Sequence, residues 1–344
     1  MAKTLKLLAA AAVIAILAGG LWTWRQRRTV QPRDPSPIVA TLRTEPESFN
    51  RLVSASAAVD VITHVIHAPL IKVDRQTGAL MPWLAERWDA LGPQSYRLHL
   101  ARDARFSDGT PFTADDVVFT FRAVYDERVN SALATGLRVD GQPLAVTAED
   151  AHTVRLEFPS PYGPGLAMLD VLPILPRHRL EEALLSGRFA QAWAASAPVE
   201  SIAGLGPFAV REVRAGESMT FARNPHYFRR GRLSSEALSD LLVVRVVPDQ
   251  SAEMVQLESG AADLATSGLR AEDIAAFRSL EQQGRIRLHD VGVALDPNAL
   301  WFNLKDGAAP SRDRPWLQRV ELRQAISRGV SRRRIIDTVF LGAA

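Results

Sequence analysis

His64 and His67 stand three residues apart in a stretch of helical periodicity, a spacing at which two imidazoles share a face and could ligate a metal. The sequence around them offers no third and fourth ligand, so exposed or packed histidines are the plainer reading. Asp115 and Asp116 form a carboxylate pair, but a place at the start of a helix explains them better than acid–base catalysis. Serine, histidine and aspartate are numerous enough to draw a triad, yet the surroundings of Gly204-Leu205-Gly206 hold no G-x-S-x-G elbow. No P-loop lysine motif or dinucleotide fingerprint occurs either. The chain has no cysteine, which removes disulfides, thiolate metal sites and a lipid-modified cysteine. These residues point away from an enzyme and imply neither a metal nor another cofactor. Trp83, Trp88 and Trp193 read as core; only Trp301 invites a reading as a ligand platform.

The elements that position such residues are clearest between Trp83 and Arg122. Ser95 to Leu100 alternates, with Tyr96, Leu98 and Leu100 on one face and Arg97 and His99 on the other, which predicts a half-buried strand. Ser107-Asp108-Gly109-Thr110-Pro111 supplies turn chemistry. Thr113 then reads as an N-cap, with Asp116 closing a capping box before the apolar Val117, Val118, Phe119 and Phe121.

The order of these words resembles the extracellular solute-binding proteins of bacterial ABC importers, the peptide/nickel family that includes oligopeptide- and dipeptide-binding members. That family's pattern of a tryptophan, a Y-x-(hydrophobic)-x-L strand and F-x-D-G-T-P-(hydrophobic)-T-A-x-D-V is met at nearly every position. Ala101 departs from it, standing where the family usually has arginine. Further matches are Glu45 to Asn50, Gly204 to Phe208 (G-T-G-P-Y in the family), Arg223 to Phe228 (R-N-P-x-Y-W) and Glu258 to Asp263 (S-G-E-I-D). Ala299 to Asn303 resembles the family's crossover strand, and Val320 to Ile336 its V-R-x-A helix. His67-Ala68-Pro69-Leu70, where relatives carry E-G-L, is a departure.

Read along the chain, Ile38 to Leu42 predicts a first strand, Val59 to Leu70 a helix, and Ala123 to Val129 a continuation of the helix after Thr113. Val139 to Gln142 predicts a turn and Thr153 to Phe158 a strand. Residues 180–195 predict an alanine-rich helix, and Leu241 to Val247 a strand buried on both faces. Gly204 and Gly206 are expected to turn the backbone tightly into a strand at Phe208.

At the N-terminus, Lys3 and Lys6 precede an uncharged stretch from Leu7 to Trp24 and a basic end at Arg25, Arg27 and Arg28. Residues 1–30 therefore read as a signal peptide or membrane anchor, the anchor preferred because no A-x-A cleavage site is present. Either way the body is expected in the periplasm, free or tethered by residues 7–24. Val30 to Pro37 reads as an extended linker. The formal charge is only +3, and the scattered arginines lack aromatic interleaving, which argues against nucleic-acid binding.

The resemblance implies an α/β, periplasmic-binding-protein-like type II fold, two-lobed with an extra subdomain and an incomplete second lobe. By that reading the first lobe comprises residues 31–67 and 177–295, the inserted subdomain 68–176, and the start of the second lobe 296–344. It implies the substrate-binding component of an ABC importer, a monomer that captures peptides or a similar small solute and delivers it to permease subunits in the inner membrane. The family's cleft positions carry over to Ala55, Ser56 and Ala57, to Thr266 and Ser267, and to Asp296 and Trp301. The alternatives are a membrane-anchored accessory or sensor domain retaining part of the fold, or a metal- or haem-binding member.

Overall fold

The computed structural model describes residues 37–229, 239–266, 270–289, 299–304 and 314–342. The reading of residues 1–30 as a signal or anchor lies outside them. Among the described residues no helix is long and apolar enough to cross a membrane.

In chain order, β1 (Ile38–Leu42) is followed by α1 (Ala57–Ile66), β2 (Ile71–Val73), β3 (Leu80–Pro82), β4 (Ala85–Ala90) and β5 (Ser95–Leu100). Next come α2 (Ala114–Tyr125), β6 (Arg138–Val139), β7 (Gln142–Pro143), β8 (Ala145–Asp150), β9 (Thr153–Glu157) and α3 (Arg177–Leu185). Strands β10 (Phe208–Arg214), β11 (Ser218–Arg223) and β12 (Leu241–Val246) lead to α4 (Gln250–Ser259), β13 (Leu264–Ala265) and α5 (Ala271–Gln282). Three further helices follow: α6 (Arg314–Gln318), α7 (Val320–Gly329) and α8 (Arg332–Thr338).

Two sheets organise these elements. One has the order β10-β11-β12-β1-β13, and the other the order β4-β5-β9-β8. In the first, β1 runs parallel to both β12 and β13, whereas β10, β11 and β12 are antiparallel to one another. All pairings in the second are antiparallel. One apolar core runs through both, from Ala40 and Val244 in the first sheet to Leu98 and Leu156 in the second. The large aromatics Phe49, Phe106, Phe112, Phe119 and Phe221 are fully buried in it. Mixed sheets with helices packed on them place the chain in the α/β class.

The strand–turn–helix unit forms as its sequence dictates. Leu98 and Leu100 of β5 are buried, and Gly109 turns at φ +87 in the left-handed region that glycine tolerates. Asp116 accepts from the Thr113 amide at 2.9 Å, so the acid is the stronger half of the capping box; the Thr113 hydroxyl donates to it only at 3.4 Å. Asp140 and Gly141, at φ 51 and 75, make the tight turn between β6 and β7.

Several expectations need correction. The helix over Val59 to Leu70 stops at Ile66, since Pro69 disfavours a helical Ala68 and the cap His67 is extended. The helix after Thr113 ends at Tyr125 rather than Val129. The helix over 180–195 ends at Leu185; Gly187 at φ 72 and Trp193 at φ 64 turn the chain instead. Strand β12 alternates, with Leu242 and Val244 buried and Arg245 exposed, so it is not buried on both faces. Residues 299–303 are neither helix nor strand.

Candidate functional site

Ligands of open α/β sheets bind outside the carboxyl ends of parallel strands. Here β1, β12 and β13 are parallel, and two of the segments expected to bind leave the same end of β1 and β13.

The first segment is the loop from Arg43 into α1. Its hub is Glu47, whose carboxylate accepts from the Ser54 hydroxyl and, at 2.9 Å, from the Ser56 hydroxyl. Burial works to raise the Glu47 pKa, but the hydroxyl donors Ser54 and Ser56 and its own backbone amide together outweigh burial and hold it below the usual carboxylate range. The loop is pinned elsewhere as well. The Ser48 hydroxyl donates to the Trp193 carbonyl at 3.0 Å, and the Leu52 amide donates to Asn50 Oδ1 at 3.1 Å. Arg51 Nε donates to Asp60 at 3.0 Å, and its Nη1 to the Ser54 carbonyl at 2.6 Å. The result is a rigid turn that leaves Ala55 and Ala57 exposed and makes Ser56 the N-cap of α1, accepting from the Val59 amide. The Ser56 hydroxyl is thus committed to Glu47 and Val59. What the turn offers outward is backbone and two methyl groups.

The second segment follows β13. The Thr266 hydroxyl donates to the Thr41 carbonyl at 2.7 Å, and the Thr41 hydroxyl donates to Glu253 Oε1 at 2.6 Å. Glu253, on α4, is 0% exposed, and its other oxygen lies 3.5 Å from Arg43 Nε. Arg43, Glu253, Thr41 and Thr266 therefore form one polar chain that ties α4, β1 and β13 together beneath the strand ends. Buried charge held this way is costly to disturb. Sequence reading missed Thr41, Arg43, Glu47 and Glu253. Thr41 left a faint signal as the lone polar residue in an apolar strand, while Glu253 left none.

Trp301 is 87% exposed in a segment without helix or strand. Ser267 and Asp296 lie outside the described residues. No hydrogen bond among the described residues joins Ala55–Ala57 to Thr266 or Trp301; the first two share an end of the sheet rather than a contact.

The remaining chemistry-bearing residues are structural. His67 is 3% exposed, stacks on Trp193 at 5.7 Å and donates from Nε2 to the Phe49 carbonyl at 3.2 Å. Desolvation depresses its pKa to about 4, against a smaller opposite effect of the Phe49 carbonyl. His64 is exposed beside the Asp60 carbonyl. Among the described residues no three His, Cys, Asp or Glu side chains converge as a metal site. Asp116 accepts from the amides of Thr113 and Arg177, and Asp115 pairs with Arg177 at 2.9 Å, so both serve the helix start. Asp108 accepts from His178, Arg179 and the Thr110 amide, locking the turn to α3. Burial opposes ionisation of Asp108, yet these donors hold its pKa far below the usual range.

Comparison with known proteins supplies a context for this geometry. Residues 79–344 match the family model described as "Bacterial extracellular solute-binding proteins, family 5 Middle". The peptide transport periplasmic protein SapA of Salmonella typhimurium is 26% identical over 325 residues, which make up 90% of this chain and 55% of SapA. The substrate-binding protein CtaP of Listeria monocytogenes superposes with a TM-score of 0.64 at 22% identity, covering 89% of this chain and 57% of CtaP. NikZ of Campylobacter jejuni, solved in complex with Ni(L-His), superposes with a TM-score of 0.64 at 21% identity, covering 90% of this chain and 56% of NikZ. The last two likenesses show the fold. The chain spans about half the length of the relatives it matches.

Proposed function

The chain belongs to the bacterial extracellular solute-binding proteins of family 5, a family of non-enzymatic binding proteins of ABC transporters, and from that premise we propose that it captures peptides in the periplasm and delivers them to an inner-membrane permease. The observation that carries the choice of peptides is the character of the strand ends. Ala55 and Ala57 are exposed and present main chain and methyl groups, and the half-buried Ala265 and Thr266 add only small side chains, while the nearby carboxylates of Glu47 and Glu253 are committed to the scaffold. A surface of backbone groups binds a peptide's own backbone and is indifferent to its side chains, as a broad importer requires. A metal ligand would need converging charged or imidazole groups. Binding in this reading uses a cleft whose first wall includes Ala55, Ser56, Ala57, Thr266 and Ser267, with Asp296 and Trp301 flanking the passage to the second wall. The lobe boundaries are those expected above, and the protein acts as a monomer, tethered by residues 7–24 or released by cleavage.

Uptake tests the reading. A strain deleted for the gene should accumulate a labelled mixture of di- to pentapeptides more slowly than its parent, with recovery on re-expression. Unaltered peptide uptake, with a loss confined to nickel accumulation, would overturn it in favour of a metal-binding member.

A further inference from the structure

Trp193 is 3% exposed and its φ is 64, in the left-handed region that a bulky side chain rarely enters. Among the described residues the other non-glycine positions with positive φ, Asn130, Asp140 and Leu341, are all exposed. The indole holds Trp193 there. Its ring lies over His67 with the two planes 16° apart, and its Nε1 donates to the Ser201 carbonyl at 3.0 Å. What the strained backbone delivers goes to a different segment. The Trp193 carbonyl accepts from the Phe49 amide at 2.8 Å and from the Ser48 hydroxyl at 3.0 Å. Two residues on, the Ala195 amide donates to the Glu47 carbonyl at 3.0 Å, and Ser48 and Ala194 form an antiparallel bridge. The Glu47 carboxylate in turn accepts from the Ser54 and Ser56 hydroxyls, on either side of Ala55.

We propose that Trp193 is a positioning residue for the ligand wall: its left-handed backbone sets Glu47, Ser48 and Phe49, and Glu47 sets Ala55 to Ala57. The proposal rests on the reading of Ala55 to Ala57 as part of the peptide-binding cleft. A strained conformation costs free energy and persists only where its surroundings over-determine it, as they do at ligand clamps. Both partners of the strained carbonyl lie in the loop that leads into α1, and neither belongs to the segment that Trp193 turns. One residue before Ser48 stands the hub that grips both flanks of Ala55. A wall made of main chain and methyl groups has no long side chain with which to adjust to a ligand. Its affinity therefore depends on a backbone fixed before the ligand arrives. Trp193 fixes it from the buried side and leaves the outward side free. Were Trp193 a packing residue only, its handedness would matter to stability and not to the wall.

Two variants of the 344-residue chain separate position from packing. Trp193→Gly and Trp193→Ala both lose the indole, its stack on His67 and its bond to Ser201, but glycine enters the left-handed region freely and alanine does not. At a temperature where both are folded, Trp193→Ala should bind trialanine about tenfold more weakly than Trp193→Gly, as expected for one strained residue. It should also exchange the Phe49 and Ser56 amides about tenfold faster, with the amides of β5 as an unchanged reference. Equal binding and equal exchange in the two variants would overturn the proposal. Glu47 is exposed, so Glu47→Ala leaves the core intact and decides the matter if either tryptophan variant fails to fold. It should speed exchange of the Ser56 amide and weaken trialanine binding, each about tenfold; unchanged values would overturn the proposal equally. Exchange needs no ligand. Failure of the intact chain to bind trialanine would therefore count against the peptide reading alone, and the exchange comparison would still decide the role of Trp193.

Discussion

Gly206 donates its amide to the Ile66 carbonyl at 2.9 Å, and a Cβ built on Gly206 would fall 2.5 Å from the Ile66 carbonyl carbon. Gly204 is tighter still, its Cβ position lying 1.8 Å from the Ile66 oxygen. The end of α1 can therefore pack on this loop only where side chains are missing. Neither glycine has a left-handed φ, so the requirement is close approach and not the backbone turn that the sequence suggested.

Gly204→Ala and Gly206→Ala should each destabilise by about 2–3 kcal/mol through overpacking against unyielding backbone. Gly92→Ala, where a Cβ meets nothing within 4 Å and φ is unremarkable, should be close to neutral. Urea unfolding of the three variants makes the comparison. Equal, small effects would show that the α1 end has room to move.

The capping box yields an ordered pair of effects. Asp116 accepts from both the Thr113 and the Arg177 amides, so Asp116→Ala orphans two donors and should cost about 2–3 kcal/mol. Thr113→Ala loses the long hydroxyl contact to Asp116 and the Thr113 half of the capping box, and should cost about 1 kcal/mol. Denaturation midpoints giving the reverse order would contradict the geometry.

Acid sensitivity should trace in part to His67. Its pKa falls from an ordinary value near 6.5 to about 4 on folding because burial disfavours the cation. The unfolded chain binds the proton more readily, so the contribution is fully present above about pH 6.5 and is lost as pH falls towards about 4. The full span is on the order of 3 kcal/mol. His67→Phe keeps a ring against Trp193 and should flatten the stability profile between those pH values, at the cost of the bond to Phe49. An unchanged slope in urea unfolding at a series of pH values would place the sensitivity elsewhere.

Much of this was legible from local pattern, because local pattern is what the elements obey. β1, β5 and the start of α2 follow from alternation and capping chemistry within a few residues. The failures share a cause in distant partners. Residues 180–195 are rich in helix formers, but Trp193 is drawn into a stack with His67, more than a hundred residues away, in a left-handed conformation. Glu253 reads as an ordinary helix-surface acid until the fold brings it to Thr41, 212 residues earlier. At the candidate site, the resemblance points to Ser56 by position alone, and the fold adds what no local pattern carries, that its hydroxyl is held by Glu47 and the helix cap while the flanking alanines are exposed.

The central claim is that peptides bind across the carboxyl ends of β1 and β13. Isothermal titration of the chain with a mixture of free-ended di- to pentapeptides, repeated on Ala57→Trp, measures it most directly. Binding should be weak but saturable, about 0.1–1 mM, and the bulky indole at exposed Ala57 should weaken it about tenfold or more without lowering Tm. Binding unaffected by the substitution, or no peptide binding at millimolar concentration, would contradict the claim.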